Sequence, residues 1–196
     1  MARHCFFLLL IIVLPKYSFC QPAKEQQFIK AVKDIALKIS TSDSAGLSKY
    51  IQTNTGVYLI YKMGINNSFK NFKTVSFTDS SYPNLLFFHA EIKIASVRYS
   101  SLPVYNCDDN TWSKKGAFTD TTKVDHLLSK TAKLLKREGN VNISNKTISN
   151  FKLLESKSRR VIITSDDGND FIFYVSYINK KWLLTVVDMA TCDCSV

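Results

Sequence analysis

The chain has 196 residues, a formal net charge of +10, 45% hydrophobic and 12% aromatic residues. That composition excludes a disordered protein and leaves enough chain for one domain with a proper core. Its densest basic groups, "LLKRE", "SKSRR" and "NKKW", are short clusters, not the contiguous stripe with interleaved aromatics that nucleic acid favours. The charge therefore predicts no nucleic-acid partner and at most weak attraction to anionic polymers or membrane surfaces.

The start, "MARHCFFLLLIIVLPKYSFC", has a short basic opening (Arg3, His4), an apolar stretch too short to span a bilayer, and a break at Pro15 and Lys16. Ser18 and Cys20 stand at −3 and −1 before Gln21, which predicts a secretory signal peptide over 1–20. A lipidated Cys20 is disfavoured, because that pattern wants a small residue directly before the cysteine and Phe19 is there. The expected product is a secreted or periplasmic single domain over 21–196.

"PAKEQQFIKAVKDIALKIS" places Phe28, Ile29, Val32, Ile35, Ala36 and Ile39 on one helical face. "TSDSAGLSKYI" predicts a second, short helix capped by Ser42 or Asp43. From Gly56 the period becomes two: "GVYLIYKM", "FKTVSF" and "NLLFFHAEIKI" read as strands, followed by "ASVRYSSLPVYNC", where Pro103 marks an edge or a bend. "TDTTKVDHLLSKTAKLLKREGN" returns to helix, with Thr122 and Asp125 spaced as a capping box, Val124, Leu127, Leu128, Thr131, Leu134 and Leu135 buried, and Gly139 as the stop. "NKTISNFKLLE" adds a short helix. "RRVIIT", "FIFYVSYI" and "KWLLTVVDM" are three antiparallel strands, the last two joined by a turn centred on "NK". In the last strand, alternation puts Trp182, Leu184 and Val186 on one face.

This order predicts an α+β domain: N-terminal helices packed on a curved antiparallel sheet that ends in a long hairpin. By element order it resembles the cone-shaped nuclear-transport-factor-2-like fold. The stretches "TGVYLIYKMG", "FTDTTKVDHLLSKTAK", "SKSRRVII" and "FYVSYINKKWLLTVVD" resemble a family of secreted proteins of unknown function from Bacteroidota. That resemblance implies a bacterial envelope location and brings no known catalytic residues.

Catalytic signals are sparse. Among histidines past the leader, His126 is expected on the solvent side of its helix, whereas His89 shares a strand face with Phe87 and Glu91. No zinc spacing, calcium loop, GxSxG, P-loop or dinucleotide glycine pattern occurs, so neither metal nor cofactor is expected. The preferred reading is a non-enzymatic domain that binds a small apolar ligand or another envelope protein. His89, Phe87, Tyr61, Tyr174 and Tyr177 are its ligand-pocket candidates. The alternative is a pocket hydrolase or isomerase using His89 with a carboxylate such as Glu91.

Three cysteines remain beyond the leader: Cys107, Cys192 and Cys194. "CDC" has the wrong spacing for a metal, and the intervening Asp193 opposes a reactive thiolate. In an oxidising compartment Cys107 is expected to pair with one tail cysteine, Cys194 rather than Cys192, closing a loop worth up to about 4–5 kcal/mol of chain entropy.

Overall fold

The computed structural model describes residues 20–77, 94, 96–139, 141–165 and 170–194. His89, Phe87 and Glu91, most of the strand expected around them, and residues 1–19 of the expected leader lie outside the described residues.

Helix α1 (Cys20–Ser40) buries Phe28, Val32, Ile35, Ala36 and Ile39, each at most 1% exposed, as their spacing requires. Helix α2 (Ser44–Ser48) is capped by Asp43, whose Oδ1 accepts from the Gly46 amide at 2.7 Å. Next come β1 (Val57–Met63), β2 (Asn66–Phe72), β3 (Val97–Tyr99), β4 (Tyr105–Asn106), β5 (Thr111–Trp112) and β6 (Gly116–Thr119). Helices α3 (Leu127–Arg137) and α4 (Asn145–Glu155) precede β7 (Ser158–Thr164), β8 (Phe171–Ile178) and β9 (Lys181–Asp188).

The chain adopts the expected α+β class. Seven strands form one open sheet in the order β2-β1-β9-β8-β7-β6-β3, while β4 and β5 make a separate hairpin. The sheet is mixed: β1 joins β9 and β3 joins β6 in parallel, and the other neighbours are antiparallel. Pro103 lies between the edge strand β3 and β4, where a missing amide hydrogen harms no ladder.

Helices cover both faces. Phe28, Val32 and Ile35 of α1 pack with Val57, Leu59, Phe171, Phe173, Val175 and Leu184 on one side. Leu128 and Ala132 of α3 and Ile148 and Phe151 of α4 pack with Ile60, Tyr174 and Val186 on the other. Double burial explains why β8 reads as a nearly continuous apolar and aromatic run, its first six residues buried.

The β8–β9 turn is a two-residue hairpin loop with both central residues left-handed, Asn179 at φ 49° and Lys180 at φ 63°, which suits the twist of the flanking strands. Farther along, Val175 faces Leu184 whereas Tyr174 faces Val186, so Thr185 is an extra residue in β9. This bulge reverses the alternation beyond it. Val187, not Val186, therefore shares the α1 side with Trp182 and Leu184, correcting the face expected from strict period two.

Cys107 and Cys194 are bonded, with Cα atoms 5.7 Å apart, and Cys192 is free. The bridge does not join adjacent strands, since β9 lies between β1 and β8, and β4 pairs with β5. A turn after Asp188, whose Oδ1 accepts from the amides of Ala190 and Thr191, carries the tail to the hairpin instead.

Candidate functional site

Arg159 and Arg160 are neighbours in β7, so alternation sends them to opposite faces. Arg159 meets Glu25 of α1 through two bonds of 2.7 Å. Arg160 enters the other side, where its Nη2 donates to Asp188 Oδ2 and to Thr191 Oγ1 at 2.6 Å each, and its Nη1 to Asp125 Oδ2 at 3.0 Å. Asp125 also accepts from the Tyr174 hydroxyl at 2.9 Å. The Asp188 side chain is fully buried, a placement that a carboxylate tolerates only with such partners. Arg160 Nε has no partner among the described residues. Burial, reinforced by Asp188 and Asp125, holds the Tyr174 phenol well above its usual pKa, so it remains a donor.

This network corrects the expected start of α3. The helix begins at Leu127, not at Thr122, and the Thr122 amide and hydroxyl both bond Asp120 Oδ1, at 2.8 and 2.6 Å. Asp125 is drawn to Arg160 and Tyr174 and does not cap the helix; Val124, expected in the core, is 48% exposed. The cap comes from α4: buried Glu155 accepts from the Ser129 amide at 3.0 Å through Oε1. Its Oε2 lies 3.3 Å from Nδ1 of His126, whose side chain is solvent-exposed as expected and also contacts this carboxylate.

Beside the network opens a cavity of about 530 Å3. Leu102, Lys114, Asp125, His126, Lys130 and Arg160 are among the residues that line it. A second cavity, of about 400 Å3, is lined by Lys24, Lys157, Arg159, Tyr177 and Trp182. Asp120, Lys123 and Val124 border both, so the stretch before α3 separates them.

The three described aromatic candidates do not converge. Tyr174 is 3% exposed on the α3–α4 side, whereas Tyr61 and Tyr177 pack against the α1 side. Tyr177 lines the second cavity, with Lys24 Nζ 4.2 Å from its ring centre. Sequence reasoning missed Arg160, Asp125, Asp188 and Glu155. The signal available was a charge inside or ending an apolar strand, "RRVII" and "TVVD", since a charge carried into a buried sheet needs a partner there.

Of Cys107, Cys192 and Cys194, Cys192 is the one left as a thiol. Burial first, then the charges of Asp170 and Asp188, push its pKa from 9.0 up to about 12. At pH 8 it is expected to alkylate at least about ten-fold more slowly in the folded protein than in urea, because a scarcer thiolate outweighs its greater nucleophilicity, as an iodoacetamide time course would show. Because the folded value is the higher one, its contribution to stability is complete below pH 9 and fades as pH rises towards 12. Equal labelling rates would show an open thiolate and reverse this assignment.

Among the described residues no cluster of His, Cys, Asp or Glu is suited to hold a metal ion, and no helix is long and apolar enough to cross a membrane. No family model, curated protein or solved structure matches the chain.

Proposed function

We propose that the chain is a secreted or periplasmic binding domain, without catalytic activity, whose ligand occupies the cavity beside Arg160. The observation that carries this reading is the cavity of about 530 Å3 built against a fixed polar network. Several of its ionisable groups are already committed: Asp125 holds Arg160 and Tyr174, and Lys114 Nζ donates to Ser101 O and Oγ at 2.8 and 2.6 Å. Rigid, mutually bonded groups suit recognition better than proton transfer. The Cys107–Cys194 bridge and the leader-like start support the extracytoplasmic address.

Lys114, Lys123, Lys130 and Arg160 outnumber Asp120 and Asp125 on its walls, so the ligand that fits is a small polar molecule with an anionic group, in place of the apolar ligand expected from the aromatics. Native mass spectrometry of protein purified from its secretion route, followed by thermal shifts with small carboxylates, phosphates and sulfonates, tests this. A ligand at about a hundred times its Kd is expected to add about 2.7 kcal/mol. Lys130→Ala and Lys123→Ala should each weaken it roughly ten-fold, as losing a charged hydrogen bond does. No co-purified ligand and no shift with any anion would remove the cavity from the functional reading.

A further inference from the structure

We propose that one end of the molecule docks on an anionic lipid bilayer, beyond the weak attraction its net charge provides. Helices α3 and α4 frame an open cleft of about 490 Å3 lined by Lys133, Lys136 and Arg137 from α3 and Lys152 from α4. Among the described residues that line it there is no carboxylate. Lys136 Nζ donates to Asn145 Oδ1 at 2.6 Å. Helix dipoles account for Lys136, Arg137 and Lys152 one at a time, each in a last turn, but not for their meeting Lys133 in one cleft. Like charges so placed repel one another until an anion lies against them.

An apolar tip adjoins this cleft. In the tight β1–β2 hairpin Met63 pairs with Asn66, and the side chains of Met63 and Ile65 are 68% and 76% exposed. Gly64 between them, at φ +63°, faces open space. Asn66 Nδ2 donates to Glu138 Oε1 at 3.0 Å, which ties the hairpin to the residue directly after Arg137 and occupies the acid at that junction. Val141, just past the end of α3, is another half-exposed aliphatic. Protruding aliphatic residues beside a cation cluster are what a peripheral protein presents to a charged bilayer: the tip enters the headgroup boundary and the cations meet the phosphates.

Flotation of the purified protein with phosphatidylcholine vesicles, with and without phosphatidylglycerol, tests the proposal. The protein is expected to float with the anionic vesicles and not with the neutral ones, and added salt should release it. Removing each cation should cost about five-fold, so Lys133→Ala/Lys136→Ala/Lys152→Ala is expected to lose roughly a hundred-fold in partitioning. Ile65→Ser should lose about ten-fold at unchanged charge. All four side chains are exposed, so circular dichroism melts should match the parent. Removing three exposed lysines elsewhere, Lys30→Ala/Lys49→Ala/Lys181→Ala, should cost far less. Equal losses in both triple variants, or no effect of Ile65→Ser, would overturn the proposal in favour of diffuse charge. Retention on a sulfated polysaccharide without vesicle binding would overturn it in favour of a glycan partner.

Discussion

Trp182→Ala is expected to lower the free energy of unfolding by about 3–5 kcal/mol, the range for removing a large buried aromatic. The indole is 5% exposed and joins three elements. Its ring meets Phe28 of α1 edge-on at 5.0 Å and Tyr177 of β8 at 5.1 Å, and the Arg159 guanidinium of β7 lies 4.9 Å from its centre. Its Nε1 donates to Lys24 O at 3.2 Å. Truncation would leave a cavity where α1 meets the hairpin and remove the indole's bond to that helical carbonyl. Trp182→Phe keeps most of the apolar contact and should cost nearer 1–2 kcal/mol. Urea melts with an unchanged m-value would check both, and a loss under about 1 kcal/mol for the alanine variant would show that α1 docks without this ring. The Glu25–Arg159 pair closes the same corner. Hydrogen bonding to Arg159 holds the Glu25 carboxyl below its usual 4.5, so this support is present above pH 4.5 and is lost as pH falls through the lowered value.

Asp188→Ala should be comparably damaging, at about 3–5 kcal/mol, because it leaves Arg160 with one carboxylate in place of two. Asp188 accepts from Arg160, from the Thr191 hydroxyl and from the amides of Ala190 and Thr191. The substitution therefore strips the cation of its fully buried partner, leaving Asp125 as the carboxylate that holds it, and loosens the turn that carries the tail to its disulfide. A double-mutant cycle separates the two effects. Adding Arg160→Met removes the under-compensated charge and should recover part of the loss, giving a coupling of about 1–3 kcal/mol. Strict additivity would show that Asp188 acts through the turn alone. Because Arg160 also forms a wall of the larger cavity, both variants are expected to lose any ligand bound there.

Local chemistry decided much of this protein before any tertiary contact. The apolar stripe from Phe28 to Ile39 is periodic within one helix, and α1 buries it as spaced. Asn179 is suited to the left-handed backbone of the hairpin turn. The α+β class follows from these short-range patterns. Long-range pairing decided the rest. Nothing within β1 says that it will lie parallel to β9, more than a hundred residues later, since a strand's pattern records which faces are buried and not which neighbour supplies its hydrogen bonds. Likewise, the burial of β8 on both faces became visible only with α3 and α4 in place. The bulge at Thr185 moved Val187 onto the α1 side because matching β8 required one extra residue. Asp125 follows the same logic. In sequence it stands three residues after a threonine, as a helix cap would, but a partly buried arginine from β7 offers a carboxylate more than a helix terminus does. The polar site exists only where β7, β8, β9 and the stretch before α3 come together, and so no single segment announces it.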